Sequence, residues 1–249
     1  MAFHPVADDV LVRSSRRDAT TSVLALGPGR RGGRRPALLV DPAWDDDELA
    51  SIADELDARA VGVAAGLSTH AHHDHLLWHP RFGDVPRWAS VRAARAVRQH
   101  RGALDAALTP EHRAPDVRAL FAAVRPVEGD AVPDPHGELP ATELVVHDAH
   151  APGHTALWLP EAGVLVAGDM LSDVEPPLPW DEISGATDLA GYREGLERLA
   201  PFVARAAVVV PGHGTPSWRP QERLDADRRY VDALLAGRVP DDPRGAVPG

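Results

Sequence analysis

Short apolar runs separated by clusters of Gly, Pro, Asp and Arg set the rhythm of this chain. The first three, Val10–Ser14, Thr21–Leu26 and Ala37–Val40, have the length and β-branched content of strands. Gly27–Arg35, rich in Gly and Arg, predicts a hairpin loop between the second and third. Asp41-Pro42 ends the third run. Asp45, Asp46, Asp47 and Glu48 then crowd the first turn of a helix predicted over Asp46–Arg59, where carboxylates suit the positive end of the helix dipole. Val61–Ser68 is apolar between polar flanks and predicts a buried strand. Residues 88–125 read as broken helix, with Arg92, Arg95, Arg98 and Arg101 three apart. That spacing marks a solvated face, with a clamp for a substrate carboxylate as the alternative. Further strands are predicted at Glu143–Asp148, Thr155–Leu159, Val164–Ala167 and Ala206–Val210, and further helices at Asp188–Ala204 and Pro220–Ala236. A Pro-rich loop, Asp173–Ser184, carries Trp180. No repeat and no linker divides the sequence, so one domain is expected over residues 1–238, followed by a flexible tail over 239–249.

Composition narrows the chemistry. The 249 residues are 44 % hydrophobic and 25 % charged, enough for a sizeable core without staples. The net charge of −11 repels phosphate polymers, so no nucleic-acid partner is expected. There is no Cys, which excludes disulfides, thiol nucleophiles and Cys-ligated metals. All 26 basic residues are Arg, and the absence of Lys excludes a Walker-type phosphate loop and a Schiff-base enzyme. Without Asn there is no N-glycosylation acceptor. The opening MAFHPVADDVLVRSS has no charged leader followed by an apolar run, and no stretch is long enough to span a bilayer. A cytoplasmic protein without a membrane partner is therefore expected.

The candidate chemistry is concentrated in Thr69-His70-Ala71-His72-His73-Asp74-His75, an H-x-H-x-D-H run directly after a predicted strand. In extended backbone alternate side chains share a face, so His70 and His72 point the same way and can chelate one ion. Asp74 and His75 follow a turn and can reach a second ion nearby. Three more candidates repeat one pattern: His154 in Pro-Gly-His-Thr, Asp169 in Gly-Asp-Met and His213 in Pro-Gly-His-Gly. Each follows an apolar run and a Gly, which lets the chain turn and present a side chain at a strand end. Such N and O donors suit zinc, and also iron or manganese.

These residues, in this order and spacing, resemble the metallo-β-lactamase superfamily of hydrolases. The resemblance runs from about Val10 to Pro216. It implies an α/β (α+β) fold built as a four-layer αββα sandwich. It implies two Zn2+ ions per chain, with Fe or Mn possible. His70, His72 and His154 would bind the first, and Asp74, His75 and His213 the second, with Asp169 bridging both. The implied activity is hydrolysis of a small ester-like bond (thioester, lactone or lactam) by a metal-bridging hydroxide, because bound water loses its proton near neutral pH. Asp74 would also orient the nucleophile and relay a proton to the leaving group. A small-molecule substrate is the expected partner, and the oligomeric state is left open. Two alternatives fit the same ligand set: a phosphodiesterase acting on a small phosphodiester, and a mononuclear iron dioxygenase acting on persulfides.

Other polar and aromatic residues near the cluster read more plainly. His73 sits between the candidate ligands and points away from them. Trp78 and His79 line a cleft or pack. His147 and His150 read as core or surface residues. The Pro176–Trp180 segment offers a rigid apolar wall, and Tyr192 falls in a helical pattern.

Overall fold

Strands that are apolar at every position need cover on both faces, and this chain supplies it with two sheets and two helical layers. The computed structural model describes residues 2–29, 32–108, 113–179 and 185–245. The first sheet takes seven strands in chain order: β1 (His4–Ala7), β2 (Val10–Ser14), β3 (Thr21–Leu26), β4 (Arg35–Val40), β5 (Val61–Leu67), β6 (Arg87–Ser90) and β7 (Arg125–Val127). Its first four strands are antiparallel, and β4 to β7 run parallel. The second sheet contains β8 (Glu143–His147), β9 (His154–Leu159), β10 (Val164–Gly168) and β11 (Val208–Pro211), in the order β11-β10-β9-β8.

Period-two alternation sorts the strand residues between three apolar clusters. Val23 and Ala25 of β3, Leu38 and Val40 of β4, Leu157 and Leu159 of β9, and Val164 and Val166 of β10 meet between the sheets. Leu24 and Leu39 face the other way, against Leu49, Ile52 and Leu56 of α1 (Asp46–Ala58) and Ala96 and Val97 of α2 (Val91–Gln99). The same cluster receives Leu104 of α3 (Arg101–Ala107) and Val117 of α4 (Pro115–Leu120). Across the molecule, Trp158, Leu165 and Val209 pack against Tyr192, Leu196 and Leu199 of α5 (Leu189–Val203) and Leu224 and Val231 of α6 (Pro220–Leu235). The layers are thus helices, sheet, sheet, helices. No helix of the described residues is long and apolar enough to cross a membrane.

Residues 88–125 are helical with breaks, as the sequence predicts, but their two ends are strand. They begin inside β6 and end inside β7, with α2, α3 and α4 between. β6 pairs with β5 through only two residues and with β7 through three. Strands this short carry no periodicity, and their pairing is decided by the parallel neighbour that the fold brings to them. The stretch expected to be a tail contains a 3-10 turn, Pro243–Gly245. There Arg244 pairs with the fully buried Asp227 of α6 at 2.7 Å.

One edge of the sandwich collects the strand ends that matter. β9 is antiparallel to both β8 and β10, and β11 is parallel to β10, so β8, β10 and β11 all end on this edge. The loop after β5 arrives there too. The Thr155 amide donates to the Thr69 carbonyl (2.8 Å) and the Thr21 amide to the Gly212 carbonyl (2.7 Å), stitching the sheets together at that edge.

Candidate metal centre

The loop after β5 runs extended through His70 and His72, then tightens into a 3-10 turn at His73–His75. The turn swings Asp74 and His75 to a second position beside the first. His150 comes from the loop after β8, Asp169 from the residue after β10, and His213 from two residues beyond β11. The donors converge as two groups: His70, His72, His150 and Asp169, and then Asp74, His75 and His213.

Their spacing can be compared with a coordination sphere. Metal–ligand distances of about 2.0–2.1 Å in a tetrahedron put neighbouring donors about 3.3–3.4 Å apart. In the first group, Asp169 Oδ2 lies 3.3 Å from His70 Nε2 and 3.4 Å from His150 Nε2, and His150 Nε2 lies 3.1 Å from His72 Nδ1. In the second, His75 Nε2 and His213 Nε2 are each 3.3 Å from Asp74 Oδ2 and 3.4 Å from each other. Asp169 touches both groups, with Oδ1 3.2 Å from His75 Nε2 and Oδ2 3.3 Å from His213 Nε2. His70 Nε2 and Asp169 Oδ1 are buried without a hydrogen bond of their own. Buried polar atoms left this way are costly unless something else satisfies them. The donor set fits divalent cations.

On four of the histidines the opposite ring nitrogen is occupied. His75 Nδ1 meets Asp41 Oδ2 at 2.9 Å, and His213 Nδ1 donates to the Asp18 carbonyl at 2.8 Å. His150 Nδ1 donates to the Leu178 carbonyl at 3.3 Å, and His70 Nδ1 meets the Thr69 hydroxyl at 3.0 Å. Each contact aims Nε2 at the centre, as supporting partners do around metal-binding imidazoles. Asp41 also accepts from the Thr69 amide (2.9 Å) and hydroxyl (2.6 Å), so one carboxylate holds both ends of the His/Asp run. The Thr20 hydroxyl donates to Asp74 Oδ2 at 3.2 Å.

Burial and mutual charge set the proton states of the protein alone. Burial drives His70 well below its ordinary pKa, and does the same to His154. Burial also acts against the charge on His75 and His213, but Asp169 and Asp74 prevail and push His213 up to about 12. Asp74 and Asp169 stay well below the usual carboxylate range: burial opposes this, but the facing imidazoles outweigh it.

His154, to which the resemblance assigns a place beside the first ion, is not among the converging donors. It opens β9 directly opposite His147 of β8, and the two rings stack at 4.8 Å. Its Nε2 accepts the Asp169 amide at 3.1 Å. His150, read from sequence as core or surface, stands among the converging donors. Two histidines four apart around a Pro-Gly turn were the available signal, and only the β8–β9 register tells them apart. His73 lies outside both groups, its ring 5.1 Å from that of Trp44. Trp78 is core, and His79 caps the Pro80–Phe82 turn by accepting the Arg81 amide. Tyr192 is buried in α5 with its hydroxyl unbonded. Trp180 lies outside the described residues.

Comparison with known proteins agrees with this architecture. Residues 30–213 match the family model of the metallo-beta-lactamase superfamily. A metallo-beta-lactamase family protein from Thermus thermophilus superposes with a TM-score of 0.65 at 20 % identity, covering 94 % of this chain and 82 % of its own. A beta-lactamase domain protein from Burkholderia ambifaria gives 0.64 at 23 % identity, covering 94 % and 76 %. The metallo-beta-lactamase FIM-1 from Pseudomonas aeruginosa, in its mono-zinc form, gives 0.63 at 18 % identity, covering 94 % and 95 %. At such identities the structural likeness speaks for the fold, and the family match over most of the chain speaks for descent: this chain belongs to the metallo-beta-lactamase superfamily.

Proposed function

We propose that the protein is a binuclear metal-dependent hydrolase, with zinc as its metal, that cleaves a small ester-like bond: a thioester, lactone or lactam. The observation that carries this is the pairing of two His/Asp groups at coordination-sphere spacing around one shared carboxylate, Asp169. His70, His72 and His150 would hold the first ion. Asp74, His75 and His213 would hold the second, and Asp169 touches both groups. When bound, the ions supply Lewis acidity and water of lowered pKa.

The chain's own groups do the rest. Asp74, steadied by the Thr20 hydroxyl, orients the attacking water and passes its proton to the leaving group. His154 is a positioning residue, holding Asp169 through its backbone amide. The net charge of −11 favours a small substrate over a polynucleotide.

Elemental mass spectrometry of the purified protein tests the reading, with His150→Ala and His154→Ala beside it. About two equivalents of zinc are expected for the wild type. His150→Ala should lose the first ion, and His154→Ala should retain measurable occupancy of both. Absence of metal after reconstitution would overturn the hydrolase. Loss confined to His154→Ala would return the first site to that residue.

A further inference from the structure

Asp169 and His213 stand 3.3 Å apart, Oδ2 to Nε2, yet they belong to different loops. Asp169 directly follows β10, and His213 lies two residues beyond β11. At the root of the loops the Gly212 amide donates to the Gly168 carbonyl at 2.6 Å. Further out, side chains join them. The Ser172 hydroxyl donates to the His213 carbonyl at 2.8 Å. Asp173 accepts the Thr215 amide at 2.8 Å and also the Thr215 hydroxyl. Gly214 adopts φ +105°, and a Cβ there would run into Asp173 Oδ1, so the loops approach closely. Residues 171–173 therefore form a strut between Asp169, which touches both groups, and the imidazole loop of the second.

The strut needs an anchor of its own. Leu171 sits in the left-handed region at φ +62°, which a non-glycine residue rarely adopts without support. Its support comes from α6 and from the chain that follows α6. The fully buried Asp227 of α6 accepts the Leu171 amide at 2.9 Å through Oδ2. Arg244 donates through Nη1 both to Asp227 Oδ1 and to the Ser172 carbonyl, each at 2.7 Å. Its Nε and Nη2 hold Asp242 at 2.9 and 2.7 Å. Apolar packing does little to fix residues 238–244: Val239 is 94 % exposed, and a cavity of about 860 Å³ opens between this segment and α6. The clasp at Arg244 is the polar tie that joins this segment to α6 and to the strut.

We propose that Arg244 and Asp227 are positioning residues of the second metal-binding group, acting on His213 through Leu171 and the Ser172 hydroxyl. Neither is among the converging donors. The line runs from Arg244 to the Ser172 carbonyl, and from the Ser172 hydroxyl to the His213 carbonyl. The first group is anchored elsewhere: the Asp169 amide on His154, and Thr69 on Asp41 and Thr155. Loosening the clasp therefore lets His213 drift from Asp169 and Asp74 and leaves His70, His72 and His150 in place. The proposal rests on the binuclear reading for its purpose, but the placement of His213 can be read without metal.

Chelator competition measures the affinity of each zinc equivalent, and nitrogen NMR of the histidine rings follows His213 and His70 in the metal-free protein. Arg244→Gln should weaken the second equivalent about tenfold and the first less than about twofold, and should shift the His213 signals but not those of His70. Ser172→Ala should do the same without touching the buried pair. Adding Arg244→Gln to Ser172→Ala should cost less than about a further twofold, because both act along one line. Asp227→Asn combined with Arg244→Gln leaves no buried charge unpaired, so it separates folding from positioning, and its second equivalent should stay weak. Arg238→Gln, in the same segment but outside the clasp, should leave both equivalents unchanged. Equal weakening of the two equivalents, additive effects of Ser172 and Arg244, or His213 signals that ignore Arg244 would overturn the proposal. A wild type that takes up one equivalent, with His213 signals still moved by Arg244→Gln, would support the clasp and overturn the binuclear reading.

Discussion

Replacing Arg244 by Ala should destabilise the protein strongly at neutral pH and weakly in acid. Arg244 reaches from the Pro243–Gly245 turn to Asp227 Oδ1 (2.7 Å) and to the Ser172 carbonyl (2.7 Å). Asp227 is fully buried, and its Oδ2 accepts the Leu171 amide at 2.9 Å. Burial pushes Asp227 up from 3.8 to about 6, even though Arg244 pulls the other way. A carboxyl whose folded pKa is raised stabilises the fold fully when protonated, below its unfolded pKa. That contribution is lost as pH rises through 6. A rise from 3.8 to about 6 corresponds to about 3 kcal/mol of differential stability across that window.

Above it, Arg244 is the counter-charge that makes the ionised carboxylate tolerable. Removing one partner of such a buried pair costs about 3–5 kcal/mol. At about pH 5 the carboxyl is protonated with or without Arg244, and what is lost is the hydrogen bonding to Asp227 and the Ser172 carbonyl, about 1–2 kcal/mol, beside the pair with Asp242, whose loss is common to both pH values. The variant's deficit should therefore grow by about 2–3 kcal/mol between about pH 5 and pH 8. Urea unfolding followed by tryptophan fluorescence measures it, and Asp227→Asn should remove most of the pH dependence. A deficit under about 1 kcal/mol at pH 8, or one independent of pH, would refute the reasoning.

Three further outcomes are expected around the metal centre. Asp41→Asn keeps a backbone that Asn tolerates (φ +45°) but weakens the grip on Thr69 and His75; metal affinity should fall about 10–100-fold in chelator competition, with little change in Tm. Gly212→Ala places a Cβ into Asp169 Oδ1 and 3.0 Å from the Gly168 carbonyl carbon; displacing the carboxylate that touches both groups should empty both sites in elemental analysis, and full occupancy would contradict the shared role. Without metal His75 and His213 hold protons against Asp74 and Asp169; zinc uptake near pH 7 should release protons and tighten as pH rises, by up to about tenfold per unit for each proton. Calorimetry in buffers of different ionisation enthalpy reads that release, and a heat independent of buffer would contradict it.

Much of the fold was legible because the strands carry their own signal. Val164–Gly168 and Val208–Pro211 are apolar at almost every position, so a strand buried on both faces follows from the sequence. Helix α1 announces itself by the acids of its first turn. β1, β6 and β7, of four, four and three residues, announce nothing. Each exists because a neighbouring strand offers it a ladder of hydrogen bonds, and the chain must first fold to bring the two together.

The site divides in the same way. Residue order alone specifies the chemistry on offer: imidazole and carboxylate donors after strand ends, no thiol, no Lys, and a run at His70–His75 that chelates locally. Alternation in an extended segment and a tight turn are short-range geometry, so they can be read from spacing. Contacts across the fold decide that His150, and not His154, stands in the converging group. The pairing of β8 with β9 sets His154 against His147 and leaves His150 on the connecting loop. The same kind of contact closes Arg244 onto Asp227. Those outcomes depend on which faces meet across sheets and helices, and a pattern along one chain encodes faces without naming their partners.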